Sequence, residues 1–92
     1  MLISWKGVKH RMPSEARKIL ANNIVYFRLK KNWSQEEFAD RLGSTPNYIS
    51  SIEHAKRNIR VDYVDHIAKT FKIDVEELFV KRKQIVSHRI IR

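Results

Sequence analysis

The sequence predicts an all-α domain of five helices, and three features of its 92 residues lead to that prediction. Apolar residues recur every three or four positions, which is the spacing of an amphipathic helix. Ser, Thr or Asp precedes several of these segments, where its side chain can cap a helix. Only two Gly and two Pro occur, and 42% of the residues are hydrophobic, as in folded helical proteins. We therefore expect a short N-terminal arm (residues 1–13), a helical domain (14–81) and a C-terminal tail (82–92).

The first helix is predicted to begin after Ser14, which follows a proline, and to run to about Lys31. Asn32 would end it. Four apolar residues at helical spacing would form its buried stripe: Ala16, Leu20, Ile24 and Phe27.

Two short helices are predicted next. Ser34 would cap the second helix, whose first-turn acids Glu36 and Glu37 complement the helix dipole. Gly43 would end it. Thr45 would cap the third helix, with Pro46 at the first helical position, where a missing N–H is tolerated. This helix would end near residue 53 or 54.

Residues 55–60, which we call the basic loop, lead to a fourth helix at about residues 61–71. Asp74 would cap a fifth helix at residues 75–80, with Leu78 and Phe79 as its apolar side chains. Both chain ends are short and β-prone, so each could be disordered or could pair or pack at a subunit boundary. Their apolar residues are Leu2, Ile3, Trp5 and Val8 in the arm and Ile85, Val86, Ile90 and Ile91 in the tail.

The charge of the chain indicates a polyanionic partner. Nineteen Lys and Arg oppose ten Asp and Glu, for a net charge of +9, which favours DNA, RNA or an anionic membrane surface. A solvated basic surface is the alternative. No apolar run approaches the ~20 residues of a membrane span, and the first residues do not form a signal peptide. We therefore expect a cytoplasmic protein without a membrane partner.

Catalytic and metal-binding patterns are missing from the sequence. Without cysteine, neither a disulfide nor a thiolate metal site can form. The four histidines, His10, His54, His66 and His88, are scattered, without the paired spacing of a ligand set. There is no nucleophile elbow and no glycine-rich phosphate loop. We expect no cofactor, no metal and no enzymatic activity.

Residues 34–53 (SQEEFADRLGSTPNYISSIE) contain the pattern that suggests a function. Ala39 would let the second and third helices approach closely, and Gly43 suits a left-handed turn between them. Ile49 and Ile52 would anchor the third helix to the core. The polar face would then point outward, and the N-terminal end of such a helix enters the DNA major groove. That face consists of Asn47, Ser50, Ser51 and the edge of the Tyr48 ring.

Residues 24–79 resemble the helix-turn-helix family of phage lambda-type repressors and Cro proteins, the XRE type. The matching positions are Arg28, Ser34-Gln35, Phe38-Ala39, Leu42-Gly43, Tyr48-Ile49-Ser50, Ile52-Glu53, Arg57-Asn58, Ile67-Ala68 and Leu78-Phe79. Within this family, the chain's small size, its Asn-Tyr-Ile-Ser-Ser-Ile-Glu string and its Lys-Arg-Asn loop are most similar to controller proteins of restriction–modification systems. The resemblance implies a lambda repressor-like fold.

The resemblance also assigns roles to individual residues. It implies base readout by Asn47, Tyr48, Ser50, Ser51 and Arg57. It implies backbone contacts by Gln35, Thr45, Lys56 and Asn58. Arg28 and Glu53 would form an internal ion pair that locks the first helix to the third. Pro46 departs from the family because many relatives read a base there, and Ser44 is usually apolar.

One recognition helix covers too few base pairs for useful specificity, so the resemblance implies a homodimer on a palindromic double-stranded operator. The predicted dimer surface is Ile73, Val75, Leu78 and Phe79, although the same apolar residues could belong to the core. The implied function is a transcriptional regulator of a restriction–modification operon that acts on its own promoter, with RNA polymerase as a further candidate partner. The alternatives are a phage or plasmid repressor and an antitoxin-like module whose arm and tail mask a toxin.

Overall fold

The computed structural model describes residues 13–85, which form four α-helices and one 3-10 helix, with no strand among them. The α-helices are α1 (Glu15–Lys30), α2 (Gln35–Leu42), α3 (Pro46–Glu53) and α4 (Val61–Phe71). The 3-10 helix spans Val75–Phe79. The all-α prediction is confirmed, and its count of five helices needs one correction, because the last element is a 3-10 helix.

Three predicted N-caps are present and explain where the helices begin. The Ser14 hydroxyl accepts from the Arg17 N–H at 3.1 Å, and the Ser34 hydroxyl accepts from the Glu37 N–H at 3.0 Å. Thr45 accepts from the Tyr48 N–H at 3.2 Å. Asp74 stands at the cap of the 3-10 helix, but its side chain makes no capping hydrogen bond. The 3-10 helix, like α4 with Arg60 at its cap, therefore lacks the side-chain capping bond that starts α1, α2 and α3.

Gly43 occupies the left-handed conformation that the turn between α2 and α3 requires, with φ 80° and ψ 38°. Its N–H donates to the Ala39 carbonyl at 2.9 Å, and the Ser44 N–H donates to the same carbonyl at 2.8 Å. A Cβ at position 43 would meet no atom within 4 Å. Backbone conformation, and not lack of space, therefore favours glycine here.

The core lies where α1 to α4 and the 3-10 helix meet. Phe38 and Phe71 stack at its centre with their ring centroids 4.7 Å apart, and the Trp33 ring stacks against both. Ala16, predicted to belong to the buried stripe of α1, is exposed, so the stripe begins at Leu20. The buried core residues are Leu20, Ile24, Phe27, Phe38, Ala39, Leu42, Ile49, Ile52, Val64, Ile67, Ala68, Phe71 and Leu78.

Residues 80–85 run beside α1, where two buried asparagines hold them. The Asn23 amide donates to the carbonyls of Leu78 and Val80 at 2.7 and 2.8 Å. The Asn22 amide donates to the Lys83 carbonyl at 2.9 Å and accepts from the Ile85 N–H at 2.7 Å. The first residues of the predicted tail are thus bonded to the helical domain. We call this set of side-chain-to-backbone bonds the asparagine clamp.

Several predictions concern residues that lie outside the described part of the chain: Leu2, Ile3, Trp5, Val8, His10, Val86, His88, Ile90 and Ile91. Between residues 13 and 85, no helix has the length and apolar character needed to cross a membrane. Within the same span, no three His, Asp or Glu side chains are grouped as a metal ion would require.

Candidate nucleic-acid interface

Helix α3 is seated on the core by its apolar face. Ile49 and Ile52 are fully buried, as predicted. Asn47, in the first turn, is exposed, while Tyr48, Ser50 and Ser51 are half-buried. A helix with this division presents a short polar surface whose position is set by the core. The outward-facing polar residues predicted for the third helix therefore lie together on one element.

An ion pair between α1 and α3 fixes the last residue of α3. Arg28 donates to both carboxylate oxygens of Glu53, from Nε at 2.5 Å and from Nη2 at 3.1 Å. Its Nη1 donates to the Trp33 carbonyl at 2.9 Å. The two side chains are only 6% and 2% exposed. Both charged groups are desolvated, and the contact between them is bidentate. The pair therefore holds α3 in one orientation relative to α1.

Gln35 connects α2 to the same carboxylate. Its amide Nε2 donates to Glu53 Oε1 at 2.9 Å. A carboxamide has two N–H donors, so a phosphate contact by Gln35 would use the second one. The residue that was expected at the DNA backbone thus also fixes the angle between α2 and α3.

Ser51 links Tyr48 to Arg57. Its hydroxyl donates to the Tyr48 carbonyl at 2.7 Å and accepts from Arg57 Nε at 3.1 Å. The Arg57 guanidinium also lies over the Tyr48 ring, 5.5 Å from its centroid. Since a serine hydroxyl has a single hydrogen, Ser51 in this arrangement could meet a base only as an acceptor. Its observed role is to hold Arg57 beside α3.

Tyr48 packs edge-on against Tyr63 of α4, with ring centroids 5.8 Å apart. Burial, and next the neighbouring Tyr63 phenol, raise the pKa of Tyr48 above its usual value, while the Arg57 charge acts in the opposite direction. The Tyr48 hydroxyl is therefore neutral at physiological pH and is able to donate a hydrogen bond.

The basic loop presents exposed cationic and polar side chains beside α3: Lys56, Arg57, Asn58 and Arg60. Two open depressions flank Arg57. One, of about 440 Å³, includes Tyr48, Arg60 and Tyr63 in its lining, and the other, of about 470 Å³, includes Ser51 and Lys56. Guanidinium, ammonium and hydroxyl donors are the groups that bind phosphate oxygens. This surface is complementary to a nucleic-acid backbone.

Arg17 is a contributor that the sequence analysis missed. From the first turn of α1 it donates to the Ala55 carbonyl at 3.0 Å and to Asn58 Oδ1 at 2.7 Å, both in the basic loop. These partners are 38 and 41 residues away in the sequence. No local spacing or motif could have indicated the contact.

The structure corrects the predicted dimer surface at one residue, Leu78. Leu78 is 0% exposed and belongs to the core, so it is not available to a second subunit. Val75 and Phe79 are exposed, and so is Val80, which was not predicted. Ile73 is half-buried. An exposed apolar patch of Val75, Phe79 and Val80 remains at the 3-10 helix.

Comparisons with known proteins agree with this geometry. The model of the HTH_3 family, described as helix-turn-helix, matches residues 24–78. The control protein C.SmaI of Serratia marcescens is 31% identical over 68 residues, which are 74% of this chain and 81% of that protein.

Two crystal structures have a similar fold. That of the hypothetical transcription factor NHTF from Neisseria has a TM-score of 0.70 at 27% identity and covers 91% of this chain and 94% of its own. That of the restriction–modification controller protein C.AhdI from Aeromonas hydrophila has a TM-score of 0.64 at 25% identity and covers 68% and 91%.

Proposed function

The chain belongs to the HTH_3 family of helix-turn-helix transcription regulators, and from this premise we propose that it is a homodimeric, sequence-specific regulator that controls a restriction–modification operon through its own promoter. The main support for the proposal is the position of α3, which packs on the core beside the basic loop. Ile49 and Ile52 are buried, and Asn47 is exposed at the N-terminal end of the helix. This is the disposition of a recognition helix in the major groove.

Base readout is proposed for the polar side of α3 and its neighbour Arg57. An asparagine can bond adenine N6 and N7 together, which contributes about 1–3 kcal/mol of discrimination, so we assign Asn47 the main contact. The neutral Tyr48 hydroxyl can donate to a base or a sugar-phosphate oxygen. Ser50, Ser51 and Arg57 are the further base-reading candidates, with Ser51 limited to accepting while it donates to the Tyr48 carbonyl.

Backbone contacts are proposed on both sides of α3. Gln35 and Thr45 stand near the N-termini of α2 and α3, where helix dipoles favour phosphate. Lys56 and Asn58 are exposed in the basic loop. Neutralised phosphates release counterions, so we expect operator affinity to fall steeply as salt is raised.

Selection of binding sites from random duplex DNA tests the readout. The wild-type chain should recover a palindromic operator. The N47A variant should lose preference at one position of each half-site, whereas K56A should weaken binding to all sequences alike. An unchanged base profile for N47A would show that the base-reading assignment is wrong.

The dimer is proposed to form through the exposed patch of Val75, Phe79 and Val80, because an apolar surface of this kind marks an interaction site. Light scattering tests it. The F79D variant should be monomeric at concentrations where the wild type is a dimer. Its matched control is V61D, since Val61 is also an exposed apolar residue but lies at the start of α4. A wild type that stays monomeric at high micromolar concentration would contradict the proposal.

The operon is proposed from the relatives named as control or controller proteins. A regulator of this kind would work in the cytoplasm, with RNA polymerase as its candidate partner at the promoter. A footprint across the promoter of its own gene, beside methyltransferase and endonuclease genes, would support this role. Other neighbouring genes would favour a phage or plasmid repressor, and a stoichiometric protein partner would favour the antitoxin-like module.

A further inference from the structure

We infer that Arg17 is a positioning residue for DNA-backbone binding: from α1 it sets the path of the basic loop and orients the Asn58 amide toward a phosphate. The inference rests on the proposed function and adds a residue to it. Arg17 lies in the first turn of α1, outside the helix-turn-helix and outside the family match at residues 24–78.

The geometry is that of one guanidinium bridging two points of the loop. Nη1 donates to the backbone carbonyl of Ala55 at 3.0 Å, and Nη2 donates to Oδ1 of Asn58 at 2.7 Å. A guanidinium presents its donors in a rigid planar fork. Two simultaneous bonds therefore fix the distance and the angle between Ala55 and Asn58.

The other hydrogen bonds that hold residues 55–57 all come from α3. The Ala55 and Lys56 N–H groups donate to α3 carbonyls at 3.1 and 2.9 Å, and Arg57 donates to the Ser51 hydroxyl. Ala55 has φ 58°, a left-handed conformation that costs a residue with a Cβ about 1–2 kcal/mol. Positions 56–58 are exposed, and Ile59 is the first loop residue packed against the core. Among the described residues, Arg17 is the only side chain outside α3 and the loop that hydrogen-bonds to the loop.

The choice of a cation for this position argues against a purely stabilising role. Arg17 bonds Ala55 and Asn58, the residues on either side of Lys56 and Arg57, and so brings a third positive charge to this part of the loop. Its Nε is buried and has no hydrogen-bond partner within residues 13–85, and an unsatisfied buried donor lowers stability. An anion bound at the loop would offset the repulsion between these charges, since phosphate attracts all three cations.

The orientation of Asn58 is the chemical consequence. A carboxamide has an acceptor oxygen on one side and an NH₂ donor on the other, and a phosphate oxygen can only accept. Because Arg17 occupies the Asn58 oxygen, the free side of the amide is the donating Nδ2. Arg17 thereby selects the amide orientation that binds a phosphate.

The experiment compares variants on the operator recovered by the wild-type chain. Lys18→Met is the matched control, since Lys18 is the next residue, carries the same charge and is exposed. We expect R17M to weaken binding about tenfold more than K18M, a loss of the size expected for one charge-assisted hydrogen bond. R17K should be nearly as weak as R17M, because an ammonium group keeps the charge but does not bridge both acceptors.

Four readouts separate positioning from direct contact. The base profile and the salt slope of R17M should match those of K18M, since no base contact is lost and the same charge is removed. The double variant R17M/N58A should bind no worse than K18M/N58A, which lacks the same number of charges. In ¹⁵N NMR spectra of the free protein, amide signals of residues 55–58 should shift in R17M and R17K but not in K18M.

Wild-type affinity in R17K would overturn the inference in favour of charge alone, and additive losses in R17M/N58A would show that the two residues act independently. A wild-type chain that binds no DNA would overturn the proposed function and, with it, the phosphate part of this inference. Unchanged loop signals in R17M would overturn the positioning part whatever the DNA result.

Discussion

Helix α1 contacts α3 and residues 78–85 through fully or nearly fully buried polar side chains, and it does so in two chemically different ways. It contacts α3 through Arg28, whose guanidinium donates to the Glu53 carboxylate, so both partners in this contact are side chains. Toward residues 78–85 it uses Asn22 and Asn23, which bond backbone atoms in the asparagine clamp, and Asn23 accepts in addition from the Arg82 side chain. Both sets of α1 side chains are buried.

The two contacts differ in how many specific residues each one requires. An ion pair requires a specific residue at each end, so both ends can be recognised in a family pattern. A bond to a backbone carbonyl requires a specific residue at one end only, because every residue supplies a carbonyl. The backbone groups that the asparagines bond therefore leave no mark in the sequence of residues 78–85, where Arg82, which donates to Asn23 Oδ1, is the side chain that records the contact.

Breaking the ion pair should have the largest effect on stability. Glu53→Ala leaves the buried Arg28 charge without its carboxylate and removes the acceptor of Gln35. We expect a loss of about 3–5 kcal/mol in the free energy of unfolding, measured by urea denaturation. That is a large part of the ~5–15 kcal/mol typical of a small domain.

The double variant R28M/E53M is the control, because it removes the buried charge together with its partner. It should recover much of the stability that E53A loses, since paired apolar residues of similar volume replace buried ion pairs well. If E53A cost less than about 1 kcal/mol, the pair would be behaving like a surface pair, and the contrast with the clamp would disappear.

Most of the helical architecture could be predicted because it depends on local signals. The caps at Ser14, Ser34 and Thr45 and the left-handed Gly43 mark helix ends within a few residues of their own positions. The polar face of α3 followed from the spacing of Ile49 and Ile52. The Arg28–Glu53 contact came from the family pattern, because no local spacing connects those positions.

The parts that could not be predicted depend on long-range polar contacts. Arg17 reaches the basic loop, and Asn22 and Asn23 hold a segment about 60 residues further along the chain. The predicted fifth helix is a 3-10 helix, and near its end the Asn23 amide donates to the carbonyls of Leu78 and Val80. Leu78 has the apolar character of either core or interface, and only its packing decides between them.

Removing the buried half of the clamp should have the next largest effect. Asn23 is fully buried, donates to the carbonyls of Leu78 and Val80, and accepts from Arg82. Asn23→Ala removes the hydrogen-bond partner of the two carbonyls and of Arg82, beside the buried core residue Leu78. We therefore expect the free energy of unfolding, measured by urea denaturation, to fall by about 2–3 kcal/mol. A loss equal to that of E53A would mean that the clamp is as much a part of the cooperative core as the ion pair.

Asn22→Ala should have the smallest effect on the free energy of unfolding. The change should be confined to the contact of α1 with residues 83–85. The partners of Asn22, the Lys83 carbonyl and the Ile85 N–H, are part-buried, so water can replace the lost bonds at a cost of about 1 kcal/mol. Hydrogen exchange should show faster exchange at the Ile85 amide, while α3 amides keep their protection. Lys81→Ala is the control: its exposed contact with Glu15 spans 3.8 Å, and its loss should change neither quantity. If N22A instead deprotected α3, the two regions that α1 holds would be coupled, and the independence inferred from their different chemistry would be wrong.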